Sequence, residues 1–264
     1  MTTPPSSITR RDGARSRLGG VPVRLGDPPV EPSVDGSNRQ LALAVNEPVP
    51  VRPTREVLAD VVHVPDWLDL DTQRVLVDDF RRWALPPAGL RHPRVPTGHL
   101  MSVQSVCLGW HWYPYVYSRT ADDTDGAPVK PIPQAVVDLA RAAVSEAYGP
   151  AHPDAVSFGP DAAIVNLYPP DARLGLHQDV EEPSAAPVVT LSLGDTCTFR
   201  LAAVDRRTGP FTDVELRSGD LLVFGGVNRL VYHGIPKVFP DTAPDGLGLP
   251  SGRLSLTVRE TGLA

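Results

Sequence analysis

Five polar residues in the last hundred positions of this 264-residue chain have the types and order of a site for a metal and an oxoacid: His177, Asp179, His233, Arg253 and Arg259. Two imidazoles and one carboxylate hold Fe(II) on one side and leave positions open for oxygen and a second ligand. His177 and Asp179 are two apart, so on an extended segment both side chains share a face. His233 must arrive from a distant segment. Arg253 and Arg259 close the run Arg253-Leu254-Ser255-Leu256-Thr257-Val258-Arg259, and alternation along a strand turns both guanidinium groups the same way. Guanidinium pairs bidentately with carboxylate and does not lose its charge, which suits it to clamp an anion beside a metal. Each piece alone has a plainer reading: His-x-Asp as a surface turn, His233 as a packed core histidine, the arginines as a solvated face. The ordered combination favours a non-heme iron site that uses an oxoacid. The two cysteines, Cys107 and Cys197, lie far apart in apolar surroundings and read as reduced, buried thiols.

The elements that must position these residues are legible in outline. Val57 to Val64 reads as an opening strand. Leu76, Phe80 and Trp83 recur at helical spacing, which predicts a helix from Asp71 to Trp83. A second helix is expected from Pro133 to Tyr148, with Val137, Ala140, Val144 and Ala147 as its buried stripe and Gly149-Pro150 as its stop. Gly98 to Pro131 is aromatic and turn-rich, and reads as a lid. Beyond it the texture changes to short strands: Ala162–Tyr168, Pro187–Leu193, Cys197–Ala202, Thr212–Arg217, Leu221–Gly225, Leu230–His233 and Arg253–Arg259, separated by turns such as Ser218-Gly219-Asp220. Many short strands in one domain point to a sandwich or jelly roll.

The stretch from Met101 to Gly262 resembles the AlkB family of Fe(II)/2-oxoglutarate-dependent dioxygenases, in particular its bacterial alkylated-DNA-repair members. The resemblance is carried by Met101-Ser102-Val103, Leu108-Gly109-Trp110, Tyr115-Val116-Tyr117-Ser118, Asn166-Leu167-Tyr168-Pro169-Pro170 and His177-Gln178-Asp179. It continues with Val189-Thr190-Leu191-Ser192-Leu193-Gly194, Phe224-Gly225-Gly226 through Arg229 to Tyr232-His233-Gly234, and the final arginine strand. It implies an α+β, mainly β fold: a double-stranded β-helix, or jelly roll, with flanking N-terminal helices, a substrate lid over about 98–131 and a core over about 162–260. It implies Fe(II) as the metal, held by His177, Asp179 and His233, with 2-oxoglutarate and O₂ as co-substrates. Arg253 would pair with the distal carboxylate of 2-oxoglutarate and Arg259 would lie near its metal-bound end, with Asn166, Tyr168 and Ser255 lining the same pocket. Trp110, Tyr115 and Tyr117 match lid positions around an extruded base, Glu181 would meet the polar edge of that base, and Arg229 would orient the substrate or hold Asp179. Two positions depart from the family: Ser255, where Asn is usual, and Glu181, where the repair enzymes carry Asp.

Charge complicates a nucleic-acid partner. Up to Arg55 there are eight arginines against five acids, net +3, so the rest of the chain carries −9 of the total −6. Phosphate binding is driven by Lys and Arg, and Arg81, Arg82, Arg91, Arg94 and Arg119 are the basic residues near or in the expected lid. Residues 1–46, rich in Pro, Ser, Gly and Arg, are expected to be a disordered tail, and 47–264 the catalytic domain. Arg10-Arg11 lacks a following apolar region, so an export signal is rejected. The expectation is a cytoplasmic monomer without a membrane span. Its activity would be oxidative demethylation of 1-methyladenine or 3-methylcytosine in single-stranded or locally opened DNA. The alternatives are RNA, including tRNA, or hydroxylation of a small molecule or protein.

Overall fold

A computed structural model describes residues 52–264; the expected tail lies outside the described residues. Alternating runs rich in Val, Leu and Thr set the strands. The chain opens with a hairpin of β1 (Arg55–Leu58) and β2 (Val61–Val64), turned at Asp60 with φ 58°. Helix α1 (Leu70–Trp83) follows, then β3 (Gln104–Leu108), a small hairpin of β4 (His111–Tyr113) and β5 (Val116–Ser118), and helices α2 (Gln134–Tyr148) and α3 (Pro153–Ser157). The rest is strand: β6 (Ala162–Tyr168), β7 (Leu174–His177), β8 (Val188–Gly194), β9 (Thr196–Leu201), β10 (Thr212–Leu216), β11 (Leu221–Phe224), β12 (His233–Phe239) and β13 (Arg253–Arg259).

A seven-stranded antiparallel sheet runs β1-β2-β11-β8-β13-β6-β3, and a four-stranded one runs β10-β9-β12-β7. Together they make the double-stranded β-helix, a jelly roll with helices on one outer face. Strand alternation divides the core in two. Leu254, Leu256 and Val258 of β13 pack with Leu76, Phe80, Ala140 and Val144 of the helices, while Phe199, Leu201, Leu222, Phe224 and Ile235 fill the space between the sheets. The polar residues of β13 therefore point into the barrel. α1 starts at its cap Asp69, whose carboxylate accepts the Thr72 N–H at 2.8 Å.

Four features differ from the expected elements. The single opening strand is a hairpin, because Asp60 takes the left-handed conformation that reverses the chain. β3 falls within the stretch expected as a lid yet forms the edge of the larger sheet, its buried Val106 and Leu108 facing the helices. β7, masked by flanking prolines, glycine and charge, was not expected. The strand expected at Leu230–His233 begins at His233 and runs on to Phe239, since residues 226–228 form a 3₁₀ turn first. Among the described residues, no helix is long and apolar enough to cross a membrane. Both cysteines are free and buried.

Candidate active site

β7 and β12 run side by side, and their register sets His177 directly opposite His233. A side chain at Gly234 would place its Cβ 2.7 Å from Leu174 O, so glycine there permits this approach of the two strands. The two imidazole rings lie 4.4 Å apart. Each Nδ1 is 3.0 Å from a backbone carbonyl two residues back, Gly175 for His177 and Val231 for His233, so each Nδ1–H donates and each Nε2 lone pair turns outward. Both Nε2 atoms are 3.8 Å from the Asp179 carboxylate. One donor atom from each of the three residues fits within 4.8 Å of the others, and Asp179 and His233 are buried.

The electrostatics favour an ionised ligand and neutral imidazole. Burial opposes charge on Asp179, yet Arg259 above all, then His233 and His177, hold its carboxyl well below the ordinary range. Burial and the neighbouring His177 pull His233 down to about 4. Asp179 Oδ2 is 2.9 Å from Arg259 Nη2 but off the line of a hydrogen bond, and is left without one. Two unengaged imidazole nitrogens and an unengaged carboxylate oxygen, with no thiolate among them, are a donor set that fits Fe(II).

Arg259 belongs to a buried charge network. Its Nη1 donates to Glu182 Oε1 at 2.8 Å and to the Tyr117 hydroxyl at 3.0 Å, and Tyr117 donates to Glu182. Arg229 completes the network: Nη2 donates to Glu182 Oε2 at 3.0 Å, Nε to Ala186 O at 2.7 Å, and Nη1 reaches the backbone carbonyl of Asp179 at 3.4 Å. Thus Arg229 braces the backbone of Asp179, not its carboxylate, and it does not line the substrate cavity. Tyr117 is likewise turned into this network, where burial raises its hydroxyl well above the ordinary value. Glu182, overlooked in the sequence, is the hub. Its signal was its place beside Glu181, since neighbouring residues on an extended segment face opposite ways.

Arg253, at the other end of β13, is fully buried. Nε donates to Ser192 Oγ at 3.0 Å, Nη2 reaches Ser255 Oγ at 3.4 Å, and the group lies 5.1 Å from the Tyr168 ring. Nη1 has no partner. Burial pushes the Tyr168 hydroxyl up to about 12, so it stays a neutral donor. A narrow recess lined by Asn166, Tyr168, Ser255, Thr257 and Arg259 reaches His177 and His233. Arg253 touches Tyr168 and Ser255 of this recess without lining it, and a buried guanidinium with an unused N–H at that place suits the distal carboxylate of a dicarboxylate such as 2-oxoglutarate.

Above the triad opens a cavity of about 510 Å³. Its lining includes His177, Asp179, Glu181, Trp112, Tyr115 and Asn166. Tyr115 sits at the rim, 68% exposed and with φ 73°, a conformation few non-glycine residues adopt. Glu181 is raised by burial and by the charges of Glu182 and Asp179. Trp110 is not on the cavity. Gly109 turns with φ 78° against Asp161, and Trp110 follows it into the turn: its indole N–H donates to Asp161 at 3.0 Å and Arg119 covers its ring at 3.4 Å. The expected lid arginines are also engaged elsewhere. Arg81 and Arg82 pair with Asp78 and Asp79, Arg91 is buried against Asp123, and Arg94 donates to Gly98 O. Instead Arg173 and Arg207 line the cavity, exposed and outside every ion pair found among the described residues.

Fold and site together define a class: a jelly roll that carries an iron site and a guanidinium-backed pocket for an oxoacid. The sequence profile of the 2OG-Fe(II) oxygenase superfamily matches residues 60–259. The chain is 37% identical over 173 residues to the alpha-ketoglutarate-dependent dioxygenase AlkB of Escherichia coli K12, covering 63% of this chain and 75% of that protein. It is 32% identical over 242 residues to the DNA N(6)-methyladenine demethylase ALKBH1D of Arabidopsis thaliana, covering 85% of this chain but 53% of the plant protein; the chain thus spans about half the length of that relative. The solved structure of OsALKBH1 superposes with a TM-score of 0.67 at 31% identity, over 79% of this chain and all of that one. This chain belongs to the AlkB family of Fe(II)/2-oxoglutarate dioxygenases, whose metal is Fe(II) and whose co-substrates are 2-oxoglutarate and O₂.

Proposed function

We propose that this protein oxidatively demethylates N-alkylated nucleobases in DNA, of the 1-methyladenine and 3-methylcytosine type. The observation that carries the reading is the wide cavity directly above the triad, because it joins aromatic surface, one carboxylate beyond that of the triad (Glu181) and two arginines with no acidic partner among the described residues. An aromatic face stacks on any base. Glu181 either accepts from an exocyclic amine or complements a base made cationic by methylation. Arg173 and Arg207 at the rim suit the phosphates flanking an extruded base, and so answer the unfavourable overall charge locally.

In this reading His177, Asp179 and His233 hold Fe(II), and Arg253 with Tyr168 and Ser255 binds the distal carboxylate of 2-oxoglutarate. Iron held there would supply oxygen activation: with 2-oxoglutarate decarboxylated to succinate, one oxygen atom of O₂ would go to succinate and the other to the N-methyl group. The N-hydroxymethyl base then breaks its carbon–nitrogen bond: the bond electrons return to the ring nitrogen as its lone pair, the hydroxyl proton is released, and the carbon leaves as formaldehyde. The protein's part is placement. Arg259 and Arg229 fix Asp179, the Gly175 and Val231 carbonyls fix the imidazole tautomers, and the buried residues around the recess exclude water.

A second reading, N6-methyladenine in DNA, is favoured by the activity for which ALKBH1D is named. RNA is the third, since cavity and rim do not single out the 2′-hydroxyl. Formaldehyde and succinate release from oligonucleotides carrying 1-methyladenine, 3-methylcytosine or N6-methyladenine, DNA beside RNA, tests all three. Formaldehyde from the first two in DNA is the expected result. Succinate formation that no methylated oligonucleotide accelerates would end the nucleobase reading.

A further inference from the structure

A polar cluster of three buried residues, Arg91, Cys107 and His111, closed by the part-exposed Asp123, lies outside the iron site and is used by nothing described so far. Arg91 is 8% exposed and has contacts on every side. Its Nε lies 3.3 Å from both oxygens of Asp123, and its Nη1 donates to Ser105 O at 2.9 Å and reaches Cys107 Sγ at 3.6 Å. Its Nη2 donates to the backbone carbonyl of Trp112. His111 Nε2 is 2.6 Å from Asp123 Oδ1, so its proton points to that carboxylate. The Trp112 N–H, in turn, donates to Cys107 Sγ at 3.4 Å. Side chains of this cluster thus take both backbone polar groups of one residue, the N–H and the C=O of Trp112. These are the groups a two-stranded hairpin leaves unpaired on its outer edge.

Burying an arginine and a histidine is costly unless each is paired, and the part-exposed carboxylate of Asp123 pairs both. Here the cluster converges on a residue whose ring lies on the cavity. Trp112 is half-buried and stands in β4, opposite Tyr117 of β5. Trp110, by contrast, is 6% exposed, engaged by Asp161 and Arg119, and off the cavity. We propose that Trp112 is the aromatic wall against which the substrate ring packs, and that the Arg91–Asp123–His111–Cys107 cluster is the positioning device that fixes it there. The inference rests on the base-demethylase reading and names a specificity residue for it.

The test is steady-state kinetics on a methylated DNA oligonucleotide with the full-length, iron-loaded chain. Trp112→Ala raises KM roughly tenfold, as loss of a stacked base contact does, and the rise exceeds any fall in kcat. Trp112→Phe recovers most of the loss, because a smaller ring still stacks. Asp123→Asn, nearly isosteric, weakens the hold on Arg91 and His111 and raises KM in the same direction. His111→Gln is the second probe of the clamp should Asp123→Asn melt early. Trp110→Phe leaves KM at the wild-type value. Wild-type KM in Trp112→Ala overturns the proposal, as does a KM rise in Trp110→Phe equal to that in Trp112→Ala. Wild-type KM in folded Asp123→Asn and His111→Gln overturns the positioning role. If the wild-type chain releases no formaldehyde from any methylated oligonucleotide, the demethylase reading itself fails, a result distinct from either of these.

Discussion

Arg253 and Arg259 sit six residues apart on one face of one strand, and both are buried. Their surroundings differ. Arg259 is neutralised from within: Asp179, Glu182 and Tyr117 all meet its guanidinium, and Arg229 shares Glu182. Among the described residues, Arg253 hydrogen-bonds only to two serine hydroxyls and lies against an aromatic face, and one of its nitrogens donates to nothing. A buried cation without an anion is expensive unless something arrives to pair it. The contrast teaches that one arginine is spent inside the scaffold around Asp179 while the other keeps capacity for an anion, as the receptor role proposed for it requires.

Removing the carboxylate beside Arg259 that belongs to the triad is the harshest way to break this comparison. Asp179→Ala takes away the carboxylate that Arg259 positions, and turnover falls to background while the barrel stays folded; metal analysis after desalting and circular dichroism check the two halves. Retained 2-oxoglutarate-dependent turnover would show that Asp179 is not a ligand. Next is Arg253→Leu. Losing a buried ion pair with the co-substrate costs about 3–5 kcal/mol, so the KM for 2-oxoglutarate rises by two or more orders of magnitude, and 2-oxoglutarate no longer raises the melting temperature. An unchanged KM would move the clamp elsewhere.

Arg259→Leu sharpens the contrast from the other side. It strands Asp179 and Glu182 in the interior, at about 3–5 kcal/mol of folding stability, measured by urea unfolding without ligands. Arg253→Leu in the same assay loses far less, because it breaks only hydrogen bonds to neutral groups, on the order of 1 kcal/mol each. Equal losses would erase the distinction between scaffold and receptor. The smallest effect lies far from iron. Burial opposes ionisation of Asp220, but hydrogen bonds from His63, Arg52 and the N–H groups of Arg217 and Asp66 bring it to about 2, below its ordinary 3.8. A depressed carboxylate stabilises the fold above its unfolded value and loses that contribution as pH falls from 3.8 toward about 2. The contribution is about 2 kcal/mol, and Asp220→Asn flattens the acid limb of a stability-against-pH curve by that amount. An acid limb as steep as the wild type's would place the contribution elsewhere.

The sequence by itself determined what depends on residue type and short spacing. Alternation along Arg253 to Arg259 put four polar side chains on one face, and the structure turns that face into the barrel. The helical spacing of Leu76, Phe80 and Trp83 marked α1, since a packed stripe at that period has one solution. His177 and Asp179 were recognisable because two positions suffice to share a side of an extended segment. Tertiary structure decided everything that needed a partner from elsewhere in the chain. The meeting of His177 with His233 depends on the register of β7 against β12, and β7 itself has too little pattern to announce it. Glu182 is a hub only because Arg229 and Arg259 arrive from distant strands to pair it. Trp112 and not Trp110 lines the cavity because the chain bends at Gly109 and Trp110 after β3 and strand alternation restarts only at His111. Local pattern fixes which way a side chain points relative to its own backbone; only the packed fold fixes what it then meets.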